Sequence, residues 1–306
     1  MTDISQPFSI GIDLGTTHCA IAVRTSPTDA AELLPIPQFI EIGQVNAHTL
    51  LPSFGLQPDE TSRDKLSNGL PWGTQHGLVV GEFARSQAYK QPGRVITSSK
   101  SWLSHAEVDR TENILPWDAD EGVAQCSPVV AASMYLSQLR RAFEHAYPEA
   151  GKLSDHNVVL TVPASFDPVA RELTLRAAEL SGVGVPRLLE EPQSALYSWL
   201  SERGNQWREE LTAGDLVLVC DVGGGTTDFS LISIVDNDGN LELERIAVGD
   251  HILLGGDNMD LTLAFVVRQK LQREKGISLD RWQFKALTQA CRIGKELLFS
   301  DDALDS

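Results

Sequence analysis

The chain has 306 residues, 42% hydrophobic and 22% charged, a balance that suits a soluble globular protein large enough for two lobes with separate cores. Its net charge of −17 argues against nucleic acid and anionic membrane surfaces as partners. No apolar run reaches the ~18 residues of a membrane span, and residues 1–10 lack the basic and apolar regions of a signal peptide.

In chain order, an apolar strand at 9–14 ends on Asp13-Leu-Gly15-Thr16-Thr17-His18 and a second strand follows to residue 23. The stretch 26–75 is punctuated by prolines, among them Pro27, Pro35, Pro52 and Pro71, with short β-like pieces such as 38–42, which reads as a small peripheral subdomain. Residues 77–88 read as a strand turning into a helix, and 96–103 place Lys100 near a helix start, where a solvated surface lysine is the ordinary expectation. A strong helix is expected over 127–146, capped by Ser127, opened by Pro128 and burying Val130, Met134, Leu136, Leu139 and Phe143. A buried strand at 157–162 closes on Pro163. Asp167 caps a helix that runs to Leu180, with Gly182 just beyond it. A strand at 186–189 leads through Glu190-Glu191-Pro192 into a helix at 193–200, and this order suits parallel strands with right-handed crossovers. The charged segment 201–214 reads as a helix end and linker. Past the next hairpin come a strand at 240–248, a helix to about 274, and a helix at 281–299 with Trp282, Leu287, Cys291 and Leu298 at near-helical spacing. Cys19, Cys126, Cys220 and Cys291 show no metal-like spacing, so buried free thiols in a reducing cytoplasm are expected.

The richest stretch is 215–235, DLVLVCDVGGGTTDFSLISIV, where two apolar strands flank Asp221-Val-Gly-Gly-Gly-Thr-Thr-Asp228. Three successive glycines carry an entropic cost that is hard to justify unless close approach is needed. Backbone N–H groups in such a turn form a concave anion site, to which Thr226 and Thr227 add hydroxyl donors. Asp221 and Asp228 would repel a bare phosphate, and a hydrated Mg²⁺ between them removes that conflict. An ordinary glycine-tipped hairpin is the alternative. It loses weight because residues 9–23 repeat the pattern of strand, Asp, Gly, Thr-Thr and strand, as two related halves facing one another would. Neither copy is a P-loop, since no GxxxxGK[ST] occurs and each turn leads into a strand.

With these residues in view, the chain resembles the nucleotide-binding domain of the seventy-kilodalton heat-shock chaperones (DnaK-like), within the actin and sugar-kinase superfamily. The motifs are IGIDLGTTHCAIAV, VGEFARSQA with SSKSWLS, VVLTVPASFDPVARELTLRAAELSG with LLEEPQSAL, LVLVCDVGGGTTDFSLISI, and GDHILLGGDNMD. The resemblance implies an α/β, actin-like (ribonuclease H-like) two-lobed fold with paired phosphate hairpins and an incomplete second lobe. It places the first lobe at 1–212, with a peripheral subdomain at about 49–125. A partial second lobe at 213–306 would hold the phosphate hairpin, 215–235, and peripheral helices, 256–300.

The same resemblance implies roles. Gly15, Thr16, Thr17 and His18 would bind nucleotide phosphates in the first turn, and Gly223, Gly224, Gly225 and Thr226 in the second. Asp13 and Asp221 would hold Mg²⁺ through water, with K⁺ nearby. Lys100 would position the attacking water, Glu191 would order waters of the metal shell, Asp228 would accept a proton, and Thr226 would take part in catalysis. Lys295 would contact the adenosine. Pro163 and Arg171 would couple nucleotide state to a substrate domain. The implied activity is hydrolysis of ATP to ADP, which would switch a client-peptide-binding domain and engage co-chaperones. Phosphoryl transfer to water needs an in-line nucleophile and positive charge around the γ-phosphate, and Lys100 with Mg²⁺ would supply that charge.

Departures from the family pattern accompany the match. Arg292 replaces an acidic residue, Glu296 stands where an arginine or apolar residue stacks on adenine, and Phe299 replaces a serine, so adenine recognition is expected to differ. His18 beside phosphates could respond to pH or play a neutral structural role. The family's later adenosine motif, linker and peptide-binding domain are not found in the sequence, so weak nucleotide binding is expected of these residues alone. Two other functions stay open: a sugar or acetate kinase of the same superfamily, for which no sugar-contacting insertion is evident, and a degenerate nucleotide-sensing protein.

Overall fold

The computed structural model describes residues 7–73, 77–204, 206–238, 240–249 and 252–300. The N-terminal residues 1–6 and the Asp250-His251 step of the GDHILLGGDNMD motif, both used above, lie outside them, as do residues 301–306.

In β1 (Ser9–Leu14) and β2 (His18–Arg24), Ile10, Ile12, Leu14, Cys19, Ile21 and Val23 are buried in strict alternation, as the two-residue period of a strand dictates. Next come α1 (Ser99–Leu103), α2 (Pro128–Ala146), β3 (Asn157–Val162), α3 (Pro168–Ser181), β4 (Arg187–Glu190) and α4 (Glu191–Arg203). Strand β3 runs parallel to β1 and to β4, whereas β2 is antiparallel to β1. Among the described residues these strands form a six-stranded mixed sheet in the order β4-β3-β1-β2 followed by Glu32–Leu33, with Leu51–Pro52 also paired to β2. Because Ile12 lies beside Leu160 in the core-facing row, Asp13 and Thr161 share the opposite face. That face looks into the site.

Ser127 caps α2 by accepting from the Val130 N–H, and Asp167 caps α3 by accepting from the Ala170 N–H at 2.6 Å. The two helices cover the core face of the sheet. The buried stripe of α2 is Val129, Ala132, Leu136, Leu139 and Phe143, not the expected one through Val130 and Met134: Val130 is exposed and Met134 half-buried. Counting back from Phe143 in steps of four and three reaches 129, and residue 130 falls about 100° round the helix. Each fully buried leucine or phenylalanine here contributes roughly 1.5–3 kcal/mol.

The proline-rich stretch is more regular than its composition suggested. It contains a hairpin of Ile36–Glu41 with Gln44–His48 and the helix Glu60–Ser67. That helix has little apolar periodicity and depends on Asp59, whose carboxylate accepts from the Ser62 N–H at 2.7 Å. Phe39, Phe54, Leu56, Val79, Phe83 and Val95 form a hydrophobic cluster separate from the one beneath the large sheet. Helix α4 begins two residues before expectation, with Glu191 first and Pro192 second. The expected linker holds a short helix, Trp207–Glu210.

Strands β5 (Leu216–Val222), β6 (Thr227–Asn237) and β7 (Asn240–Val248) form an antiparallel sheet, followed by α5 (Gly256–Lys275) and α6 (Arg281–Leu298). Asp221 and Asp228 are directly opposed across the second turn, so both carboxylates lie on one face. The expected apolar stripe of α6 is corrected: Trp282 and Leu298 are exposed, Leu287 is half-buried, and only Cys291 of the four is buried. Arg292 is buried next to it, because α6 docks on the buried carboxylate of Asp260, and hydrophobic spacing carries no signal for buried charge. No helix among the described residues is long and apolar enough to cross a membrane.

All four cysteines are free, but Cys220 is exposed rather than buried. The alternation that turns Asp221 inward turns Cys220 out. Burial pushes the Cys19 thiol up to about 12 and the Cys126 thiol to about 11, and raises Cys291. Only the thiolate reacts, and a raised pKa leaves less of it at a given pH. A thiol-reactive disulfide reagent at about pH 8 is therefore expected to modify Cys220 at once and the other three only after denaturation. Immediate reaction of more than one thiol in the native protein would contradict these burials.

Candidate functional site

Two glycine turns meet at the centre of the molecule. In the first, a Cβ on Gly15 would overlap the His18 carbonyl oxygen. Ser53 props this turn from behind, its hydroxyl donating to the Gly15 carbonyl at 2.7 Å and its N–H to that of Thr17 at 2.8 Å. In the second, the Gly223 N–H closes the turn on the Thr226 carbonyl at 2.8 Å. A Cβ on Gly224 would collide with the Thr17 side chain, and one on Gly225 would lie 2.9 Å from the Thr16 methyl and 2.5 Å from Ser101 Oγ. Close approach, rather than left-handed backbone, is what requires glycine at these two positions.

Helix α5 buttresses the second turn. The Gly256 and Asp257 N–H groups donate to the Gly223 and Gly224 carbonyls at 3.1 and 2.7 Å, giving first-turn donors partners they would otherwise lack. Of the two threonine hydroxyls expected to serve an anion, that of Thr227 is already committed, donating to the Leu254 carbonyl at 2.8 Å. Thr226 does line the cleft.

The cleft between the turns has a volume of about 480 Å³. Asp13, Gly15, Thr16, Thr17 and His18 line one side, Asp221, Gly223, Gly224 and Thr226 the other, and Lys100, Thr161 and Glu191 the floor. Gly225 packs against Thr16 and Ser101 instead of lining it, and Asp228, opposite Asp221, is 2% exposed. Thr161, which sequence reasoning passed over, donates its hydroxyl to Asp13 Oδ1 at 2.6 Å. Its signal lay in strand parity alone.

Lys100 and Glu191 form an ion pair, their side chains 9% and 16% exposed. Burial alone would depress the Lys100 amine, but the charges of Glu191 and Asp13 outweigh it and hold the amine above its ordinary value, so it is protonated. Burial raises the Glu191 carboxyl more than Lys100 lowers it. Burial likewise raises the Asp221 carboxyl, with Lys100 opposing and Asp228 and Asp13 reinforcing. His18 is half-buried, and burial followed by the Arg85 charge lowers its pKa, so it is neutral at pH 7. Three carboxylates facing one anion-shaped cradle suit a hydrated divalent cation bridging to phosphate. Among the described residues no three metal-binding side chains converge for direct ligation.

Lys295, expected at the adenosine, does not line this cleft: its ammonium pairs with Asp260 at 2.7 Å and donates to the Gly256 carbonyl at 2.8 Å. Arg292 binds Asp260 and Asp257, Glu296 pairs with Arg85, and Phe299 is exposed. Pro163 begins the loop after β3, and Arg171 donates to the Phe166 carbonyl at 3.1 Å and to Glu190 at 2.8 Å.

A family model described as "Hsp70 protein" matches residues 71–304. Among similar curated proteins, the "Chaperone protein HscA homolog" of Pseudoalteromonas atlantica is 30% identical over 98% of this chain and 43% of its own length. The protein of the same description from Tolumonas auensis is 29% identical over 97% of this chain and 43% of its own length. The one from Acidovorax ebreus is 31% identical over 96% and 42% respectively. The chain thus spans less than half the length of the curated relatives it matches.

Proposed function

The chain belongs to the Hsp70 protein family, and on that premise we propose that it binds ATP with Mg²⁺ in the cleft between its glycine turns and hydrolyses it. The Hsp70 family match and the similarity to proteins described as HscA chaperone homologs support this reading. The observation that carries the mechanism is the contact of Gly224 and Gly225 with Thr17 and Thr16 above the Lys100–Glu191 pair.

In this reading Gly15, Thr16 and Thr17 bind phosphate oxygens from one side, and Gly223, Gly224 and Thr226 from the other. Asp13 and Asp221 would hold Mg²⁺ through water, and the ion when bound would neutralise phosphate charge. Lys100, kept protonated and held by Glu191, orients a water in line with the γ-phosphorus. The water oxygen forms the new P–O bond, the bond to the bridging oxygen of ADP breaks, and Asp228 receives the proton. Hydrolysis needs little covalent chemistry from the protein, so positioning and electrostatics carry the rate. Lys295 and Arg292 hold Asp260 and Asp257, which supports the second turn.

We assign 1–212 to the first lobe, with its peripheral insertion at about 49–125, and 213–306 to the second. In the whole protein, turnover would switch the hold on a client peptide by a segment outside this sequence, with Pro163 and Arg171 in the relay. The test is calorimetric titration of the full natural polypeptide with ATP and with ADP. Saturable heat that requires Mg²⁺ and disappears in chelator is expected. No heat with either nucleotide would overturn the reading.

A further inference from the structure

Lys100 and Glu191 stand on different elements, and each lies within two residues of a bond arriving from the three-stranded half of the molecule. On the lysine side the anchor is Ser98, the N-cap of α1. Its φ of +53° and ψ of 34° put a serine in the left-handed region, and its hydroxyl makes no cap bond to its own helix. That conformation is unfavourable for a residue with a Cβ and persists where surrounding structure imposes it. Here the Ser98 hydroxyl donates to Asp257 Oδ2 in the first turn of α5. Asp257 is itself fixed, its N–H on the Gly224 carbonyl at 2.7 Å and its other carboxylate oxygen on Arg292. Helix α1 therefore enters the cleft at an angle set by the helix that buttresses the second glycine turn.

On the glutamate side the anchor is Glu190, immediately before Glu191. Its side chain is 11% exposed and shared between the halves. One oxygen accepts from Arg171 of α3 at 2.8 Å, the other from Arg245 of β7. Strand β7 contributes nothing to the lining of the cleft. Arg245 therefore reaches the site through Glu190.

We propose that Ser98 and Glu190 are positioning residues through which the spacing of the two halves sets the Lys100–Glu191 pair. When the halves part, Ser98 loses Asp257 and Glu190 loses Arg245. Then α1 is free to leave its strained entry, and the start of α4 keeps only its Arg171 tether. Together they hold the lysine and glutamate in register while the halves are closed. The inference rests on the ATPase reading for its kinetic arm alone.

The test uses Arg245→Ala and Ser98→Ala in the full natural polypeptide, singly and together. Each is expected to lower kcat about 10-fold with KM within about twofold, as loss of a transition-state arrangement does. The double variant should fall little further than the worse single, because both act on one pair. Arg245→Lys, which keeps the charge, should stay within about threefold of wild type and separates the effect from misfolding. A second arm needs no ATP: backbone amide exchange over 99–103 should rise about 10-fold in nucleotide-free Ser98→Ala. Unchanged exchange there, or kinetic losses that multiply in the double variant, would overturn the proposal. A wild-type protein with no ATP turnover would sink the ATPase reading, and the exchange result would still decide this one.

Discussion

Lys100→Met should lower ATP turnover by about 10²–10³-fold, the usual loss when one preorganised donor to a developing charge is removed. Methionine fills the same volume without the ammonium, so packing around α1 is preserved. Nucleotide affinity should change far less, since the phosphate contacts belong to the two glycine turns. The substitution also leaves Glu191 buried without its cation. Breaking a buried pair from one side costs about 3–5 kcal/mol, and less where the survivor can take up a proton. Glu191 is able to do so, because burial already holds its carboxyl above the ordinary value. Adding Glu191→Gln to Lys100→Met should recover the stability and none of the turnover. Single-turnover hydrolysis and urea denaturation on the same three proteins check both halves of this. Turnover within about threefold of wild type in Lys100→Met would remove the lysine from the mechanism.

The second large effect is expected at Asp260, which no motif singled out for chemistry. Its side chain is 1% exposed and receives Arg292 Nε at 3.0 Å and Lys295 Nζ at 2.7 Å. Arg292 is 8% exposed and Lys295 21%, so neither cation has free access to water. Asp260→Ala takes a buried carboxylate from both, leaving Arg292 only Asp257 and Lys295 only the Gly256 carbonyl among their described partners, and about 3–5 kcal/mol of stability should be lost, against less than ~1 kcal/mol for an exposed pair. The loss should reach the phosphate site, because Lys295 also binds the Gly256 carbonyl and Gly256 donates to the second turn. A urea midpoint lowered at unchanged slope is the expected signature. Asp260→Asn keeps the shape and one acceptor oxygen but turns an NH₂ donor toward the other cation and carries no charge, and should fall between wild type and alanine. A midpoint unchanged in the alanine variant would mean that the three charges are not coupled as described.

These two residues mark the limit of what the linear chain discloses. Lys100 was found through the resemblance, since its own neighbourhood reads as surface. Its partner Glu191 is 91 positions away. Asp260 lay inside a recognised motif, yet its role depends on a helix that begins at Arg281. The pairing of Lys295 with Asp260 was hidden for the same reason: a cation takes whichever carboxylate the packing brings to it. The stripes of α2 and α6 differed from expectation in kind. On α2 Leu136, Leu139 and Phe143 are buried as expected, and only Val130 and Met134 fall off the buried face. On α6 the buried face is partly ionic, and apolar spacing cannot report that.

The amino-acid order by itself determined the local units. Alternation in β1 and β2 set which face is core, Ser127 and Asp167 set where α2 and α3 start, and the repeated run of Asp, glycine and Thr-Thr set two turns suited to anions. These follow from neighbours a few residues apart, where dihedral preference, capping and period act directly. Tertiary structure alone decided which partners meet. It brought Gly224 onto Thr17, left Thr226 in the cleft while Leu254 took the hydroxyl of Thr227, turned Cys220 to solvent, and closed Ser98 on Asp257. Hydrogen bonds and ion pairs are chosen by distance after the two sheets have packed, and no local pattern encodes that distance.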